Sequence, residues 1–175
     1  MRHARQARKA SRVAGIILRP TYTFVTLCLA IATTHVSAQQ FLDSLVGTWK
    51  MNPGKSTFDP PPGPRAQTMR IERSGSDAVT ITTDLVDANG QAQHTVRTTR
   101  FDGNDVPVRG GLPGATQTYT AIDDHTYQIV GKLNGVPRLT TRATISADGT
   151  TLTTLVSGPD PQGRQVHNSG VYEKQ

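Results

Sequence analysis

The sequence predicts an all-β protein: an up-and-down antiparallel meander of about 8–10 strands closed into a barrel. Three observations carry this. Turn signals recur at roughly 8- to 12-residue spacing, as in sandwiches and barrels. Between them lie runs in which apolar residues alternate with threonine or charge, clearest over Val79, Ile81, Thr83 and Leu85 against Thr80, Thr82 and Asp84. No helical period is apparent after residue 38. Consecutive hairpins favour a meander, and a meander hides its edge strands most simply by closing.

The elements follow in order. Gln39–Ser44 is a short lead-in, with Phe41 and Leu42 available to plug one end of the fold. Leu45–Met51 is the first strand and holds the only tryptophan, Trp49. Residues 52–64 form a loop in which Pro53, Pro60, Pro61, Pro62 and Pro64 forbid regular pairing, while Phe58 gives it something to bury. Strands are then expected over 67–74, 78–86 and 91–101. Asp87-Ala88-Asn89-Gly90 turns the middle pair, because glycine accepts the positive φ such turns need. Asp102-Gly103-Asn104-Asp105 reads as another turn before a short extended piece, Val106-Pro107-Val108. A glycine-rich loop, Arg109 to Thr116, leads to strands over 117–123, 126–133, 136–146, 151–157 and 165–174. These are joined at Asp123-Asp124-His125, Asn134-Gly135, Ala147-Asp148-Gly149 and Gly158 to Gly163.

Residues 1–38 differ in kind. Arg2, Arg5, Arg8, Lys9, Arg12 and Arg19 form a basic leader without acidic residues, Phe24–Ala32 is apolar, and Val36-Ser37-Ala38 places small residues where a signal peptidase reads. That order is a secretory signal peptide, expected to be cleaved after Ala38, leaving residues 39–175 as a single barrel domain. A spanning helix needs about 20 apolar residues, roughly twice this run. Leu27 is too large for the small residue expected before a lipidated cysteine at Cys28. No stable membrane anchor is therefore expected after cleavage, and the destination is the periplasm or the medium.

Removing the leader changes the electrostatics. The whole chain carries 19 basic and 13 acidic residues, net +6. Six of the basic residues are in the leader, so 13 of each sign remain. The basic balance belongs to the export signal and is no argument for nucleic acid as a partner. The only cysteine is Cys28, so the domain has neither a disulfide framework nor a thiolate metal site. Stability must come from the core, and about 137 residues remove roughly two-thirds of the unfolded surface from water.

Gly47-x-Trp49 on the first strand of such a meander resembles the lipocalin signature, within the wider calycin group of barrels. The resemblance implies that Trp49 closes the barrel base under a basic side chain near the end of the chain, Lys174 or Arg164, through a cation–π contact. More closely, Gly47-Thr48-Trp49-Lys50-x-Asn52-Pro53-x-Lys55-Ser56-x-Phe58 is similar to small exported bacterial proteins described as lipocalin-like. Further phrases shared with them are Val86-Asp87-Ala88-x-Gly90, Phe101-Asp102-Gly103-x-Asp105-x-Pro107-Val108 and Val171-Tyr172-Glu173-Lys174. That group brings no assigned activity. The chain departs from the lipocalin pattern in lacking a C-terminal helix and a disulfide, and in carrying a Pro-rich loop in place of a long lid.

Side chains with chemical potential are few. His94, His125 and His167 would all have to converge on one ion to form a three-histidine site. His125 falls in a turn, His167 on the outer parity, and His94 on either face. Asp123-Asp124 and Asp102/Asp105 read as backbone-capping turn residues. Arg97, Arg100, Arg138 and Arg142 alternate with threonine, which reads as a solvated outer face with cross-strand charge pairs. Ser56, Ser74 and Ser157 lack a nucleophile context, and phosphate-loop motifs are absent. No catalytic residue, metal or cofactor is expected. The candidates for a binding interior are Ile81, Leu85, Tyr119, Tyr127, Ile129, Leu139 and Tyr172. Thr83, Gly131, Thr141, Ala143 and Gly170 share their parity and leave room. The expectation is an exported, non-enzymatic protein holding a small, mostly apolar ligand. The alternative is an envelope or extracellular interaction module, its barrel filled by side chains, acting through the 59–64 and 109–116 loops.

Overall fold

A computed structural model describes residues 38–160 and 162–175. Residues 1–37 of the leader therefore lie outside the described residues. Ten strands, β1 (Gly47–Met51), β2 (Ala66–Arg73), β3 (Val79–Val86), β4 (Ala92–Thr99), β5 (Asp102–Pro107), β6 (Ala115–Ala121), β7 (Thr126–Leu133), β8 (Val136–Ile145), β9 (Thr151–Pro159) and β10 (Gln165–Lys174), follow one another around the sheet. Every neighbouring pair is antiparallel, and the order β4-β3-β2-β1-β10-β9-β8-β7-β6-β5 joins the first strand to the last. The result is the expected all-β meander, rolled into a nearly closed barrel. The one seam without a strand ladder runs between β4 and β5. It is clasped at one point, where the Val96 and Arg109 backbones exchange two N–H···O bonds of 3.0 Å.

Two expectations are corrected. A helix, α1 (Ala38–Leu45), precedes β1, where only a lead-in was expected. It has no acidic residue in its first turn and no basic residue in its last. What it has is Phe41, Leu42 and Leu45, all buried, so tertiary packing holds it across one end of the barrel. Asp102–Asp105 is not a turn. The chain reverses at Phe101, whose φ is 59°, and residues 102–105 form the bulged start of β5. Asp102 accepts the Asn104 N–H at 3.0 Å within that bulge.

The closed end is built around Trp49, which is fully buried. Its indole N–H donates to Leu45 O at 2.8 Å, fixing α1 to β1. Lys174 lies opposite Trp49 in the β1–β10 register, with Nζ 5.1 Å from the indole centroid. The same ammonium donates to Ser44 O at 3.1 Å. Of the two basic candidates, then, Lys174 makes the contact. Gly47 is required here because its φ is +140° and a Cβ would meet Lys174 Cε at 2.6 Å. The signature glycine is thus the space through which the lysine reaches the tryptophan. Asp43 and Arg73 add an ion pair of 2.6 Å at the rim of this end.

Gly47→Ala is expected to lower the unfolding free energy by about 1–3 kcal/mol, the cost of a side chain in a sparsely populated backbone region together with displacement of Lys174. Urea unfolding measures it. The Gly47→Ala/Lys174→Ala double variant should lose less than the sum of the two single losses, since the clash disappears with the lysine.

Candidate functional site

Alternation along the strands and their cross-strand register define the inward face. On β4 this is Gln93, Thr95, Arg97 and Thr99, opposite Leu85, Thr83, Ile81 and Val79 of β3. On β6 and β7 it is Gln117 and Tyr119 opposite Gly131 and Ile129. On β9 and β10 it is Leu152 and Thr154 opposite Tyr172 and Gly170. Ile81, Tyr119, Tyr127 and Tyr172 are buried, while Leu85, Ile129 and Leu139 are half-buried.

The interior has two halves. Near α1 it is filled. Phe101 makes edge-to-face contacts with Phe41, Tyr119 and Tyr127 at ring-centroid distances of 5.1, 5.5 and 5.3 Å. Such geometry adds to the burial of apolar area itself. Toward the opposite end, where the β7–β8 hairpin and the 108–114 loop lie, the interior opens. A cavity of about 340 Å³ there is lined by Gln93, Gln117, Gly131 and Leu139 among others. That lies within the range of small-molecule sites. Thr116, whose hydroxyl is buried with no hydrogen-bond partner among the described residues, also lines it.

Between the halves stands a polar group that the sequence reading turned the wrong way. Arg97 points inward, half-buried, rather than onto the solvated face. Its Nε donates to Tyr119 Oη at 2.7 Å, and its Nη1 donates to Thr83 Oγ1 at 2.7 Å and Thr95 Oγ1 at 3.3 Å. Tyr119 Oη in turn donates to Gln117 Oε1 at 2.6 Å, so a hydrogen-bonded chain runs from the mouth cavity to the guanidinium. No carboxylate pairs with Arg97 among the described residues, and Nη2 makes no hydrogen bond there. Elsewhere in the interior, Tyr172 Oη donates to Gln67 Oε1 at 3.1 Å.

The signal for this was in the turn. Asp87–Gly90 fixes the β3–β4 register, so the face of Ile81 and Leu85 is also that of Gln93 and Arg97. β4 has no apolar stripe of its own to show this.

The remaining candidates do not converge. His94 Nδ1 lies 2.6 Å from Asp84 Oδ1 on the outer face, His125 is exposed in its turn, and His167 is exposed on the outside of β10. Among the described residues, no three His, Cys, Asp or Glu side chains are grouped to hold an ion. The acidic pairs cap loops: the carboxyl of Asp123 is held below its ordinary value mainly by the His125 N–H, and that of Asp102 by the N–H of Asn104 and then by its amide. Phe58 in the Pro-rich loop packs against the core. Residues 57 and 59 run beside β10, through the Thr57–Ser169 bridge and a 2.8 Å bond from His167 N–H to Asp59 O.

Burial raises the hydroxyl pKa of Tyr119, Tyr127 and Tyr172, with the charge of Arg97 opposing the rise at all three. The folded state therefore keeps protons that the unfolded chain surrenders near pH 10. Stability is intact below that pH and falls as the pH climbs from there toward the folded values. Equilibrium unfolding across this window should show the decline. Tyr127→Phe, which removes one such group, should flatten it.

No protein-family model matches the chain, and no curated protein does. Solved structures do. The fluorescent protein UnaG superposes with a TM-score of 0.52 at 15% identity, over 77% of this chain and 99% of UnaG. A point mutant of UnaG gives 0.52 at 14% identity, over 77% and 98%. A redesigned β-barrel, mFAP1 bound to DFHBI, gives 0.41 at 12% identity, over 77% and 99%, too loose to bear on the fold. At such identities the likeness to UnaG is one of fold: this chain is similar to it in forming a meander β-barrel.

Proposed function

We propose that the protein is an exported, non-enzymatic carrier that holds a small, mostly apolar molecule inside the barrel by an acceptor-bearing, preferably anionic, end. The observation that carries this reading is Arg97. A guanidinium has five N–H donors in a rigid fork and remains charged at any working pH. Here three hydrogen bonds reach neutral oxygens and the Nη2 edge is open. A partly buried charge without a counter-charge is costly, and a guest supplying a carboxylate or similar group would offset that cost. The half-buried Leu139 and the small Gly131 line the cavity, and Leu85, Ile129 and Thr141 share their inward parity, so the rest of the guest meets an apolar, roomy wall. The calycin-like fold supports the reading, since barrels of this size have room for one small ligand. A side-chain-filled barrel acting only through its loops fits a hollow mouth less well.

Native mass spectrometry of the exported protein from its own host, beside its denatured mass, tests the proposal. Extra mass lost on denaturation is expected. Arg97→Met should weaken an anionic apolar guest by roughly ten- to a hundredfold, the worth of a charged hydrogen bond. It should leave a neutral analogue nearly unaffected. Bare mass, with no thermal shift across fatty acids and other small apolar compounds, would remove the carrier reading.

A further inference from the structure

The rim of the barrel mouth also presents an outward surface. Of the large apolar side chains exposed among the described residues, Leu112 and Val136 are 54% and 52% accessible. They sit on two loop tips that are tied together. Asn134 N–H donates to Gly114 O at 3.0 Å, and Gly114 permits the approach, since a Cβ there would lie 2.0 Å from Asn134 Oδ1. Leu112-Pro113 and Val136-Pro137 thus form neighbouring apolar prows at the rim.

Their charge is one-sided. Residues 108–115 and 132–139 contain Arg109, Lys132 and Arg138 and no acidic residue. Lys132 is held by Asp105 of β5 at 2.7 Å, while Arg109 and Arg138 form no ion pair among the described residues. Other loops at this end do carry acids: Asp160 is paired with Arg164, Asp87 caps its own turn, and Asp59 is exposed in the 52–64 loop. The turns of the closed end carry Asp77, which is paired with Arg100, and Asp123, Asp124 and Asp148, which form no ion pair among the described residues. Ile122, 46% accessible, lies among them.

We infer that these two tips dock the barrel, mouth first and reversibly, on an anionic lipid surface. Two apolar side chains and two or three cations suit shallow insertion beside negatively charged headgroups rather than permanent anchoring. Acidic turns at the far end orient the molecule by repulsion. Leu112, Lys132 and Arg138 also line the mouth cavity, so the docked rim joins that cavity to the lipid. Docking stands or falls independently of guest binding, because it is read without a guest.

The test is co-sedimentation of the protein with vesicles of mixed phosphatidylglycerol and phosphatidylcholine, beside phosphatidylcholine alone. Binding is expected to the anionic vesicles only, and to be released as rising salt shortens the screening length from about 10 Å toward about 3 Å. Arg109→Gln/Arg138→Gln should weaken it by roughly twenty-fivefold, since each cation near such a surface contributes about a factor of five. Leu112→Ser/Val136→Ser should also weaken it, and Ile122→Ser should not. Circular dichroism confirms that each variant is folded. A fluorophore at Leu112→Cys should shift to the blue on vesicles, and one at His125→Cys should not. Absence of sedimentation with anionic vesicles overturns the inference, as does sedimentation that none of the tip variants changes. Retention on polyglutamate without vesicle binding overturns it too, and assigns the tips to an acidic protein.

Discussion

The barrel depends on one stacked contact at its closed end. Trp49 receives Lys174 on its face, donates its N–H to α1, and stands opposite Met69 in the β1–β2 register. Three elements, the adjacent α1 and β1 and the distant β10, are fixed by this one side chain. The ammonium is not stranded, because it also finds the Ser44 carbonyl. Desolvation of a lysine over an indole is tolerable where a backbone oxygen accepts from it. Gly47 has no stabilising contact of its own, yet its missing methyl is what allows the arrangement.

From that end the interior changes character along the barrel axis. Edge-packed aromatic rings fill the lower part and give way to Arg97 with its ring of hydroxyls, which gives way to glutamines and an open cavity. The order is physically sensible. Aromatic burial provides the stability a protein without disulfides needs, and polar groups appear only where they can reach one another. The guanidinium is satisfied enough to stay folded inward, yet keeps one edge free. A fold that merely needed filling would have been served by methionine or leucine at that position, at lower desolvation cost.

Much of the fold was legible because β-structure is written in short range. Val79 to Leu85 alternates, and Asp87–Gly90 and Asn134-Gly135 mark hairpins whose registers the structure shows. The closing contact was legible as a pair of alternatives, Lys174 or Arg164, and only three-dimensional register chose between them. α1 was missed because it is a helix of eight residues without charged ends, held by what Phe41, Leu42 and Leu45 bury. Residues 102–105 were misread because Asp, Gly and Asn serve bulges as well as turns. Arg97 was misplaced because β4 carries threonine and charge on both faces, so its orientation is decided by its partner strand. The candidate site was legible as an inward parity of small and aromatic residues, but not in its division into a packed and a hollow half. That division follows from Phe101 folding back at φ 59° to join rings from other elements.

The pairing of β1 with β10 also concerns time. A chain grows from its first strand to its last, and each paired hairpin can form as soon as its second arm exists. The pairing of β1 with β2 is among these, but it completes only half of β1. One of its edges waits for Met51, Lys50 and Trp49 to meet Tyr172, Glu173 and Lys174, more than a hundred residues later. Such distant closure is slow, because loop entropy is lost before any contact rewards it. Until it happens, Trp49 lacks its cation and β1 presents an unpaired edge. The molecule is therefore most vulnerable to misassociation until β10 reaches β1, and residues 172–174 act as the latch that ends that interval.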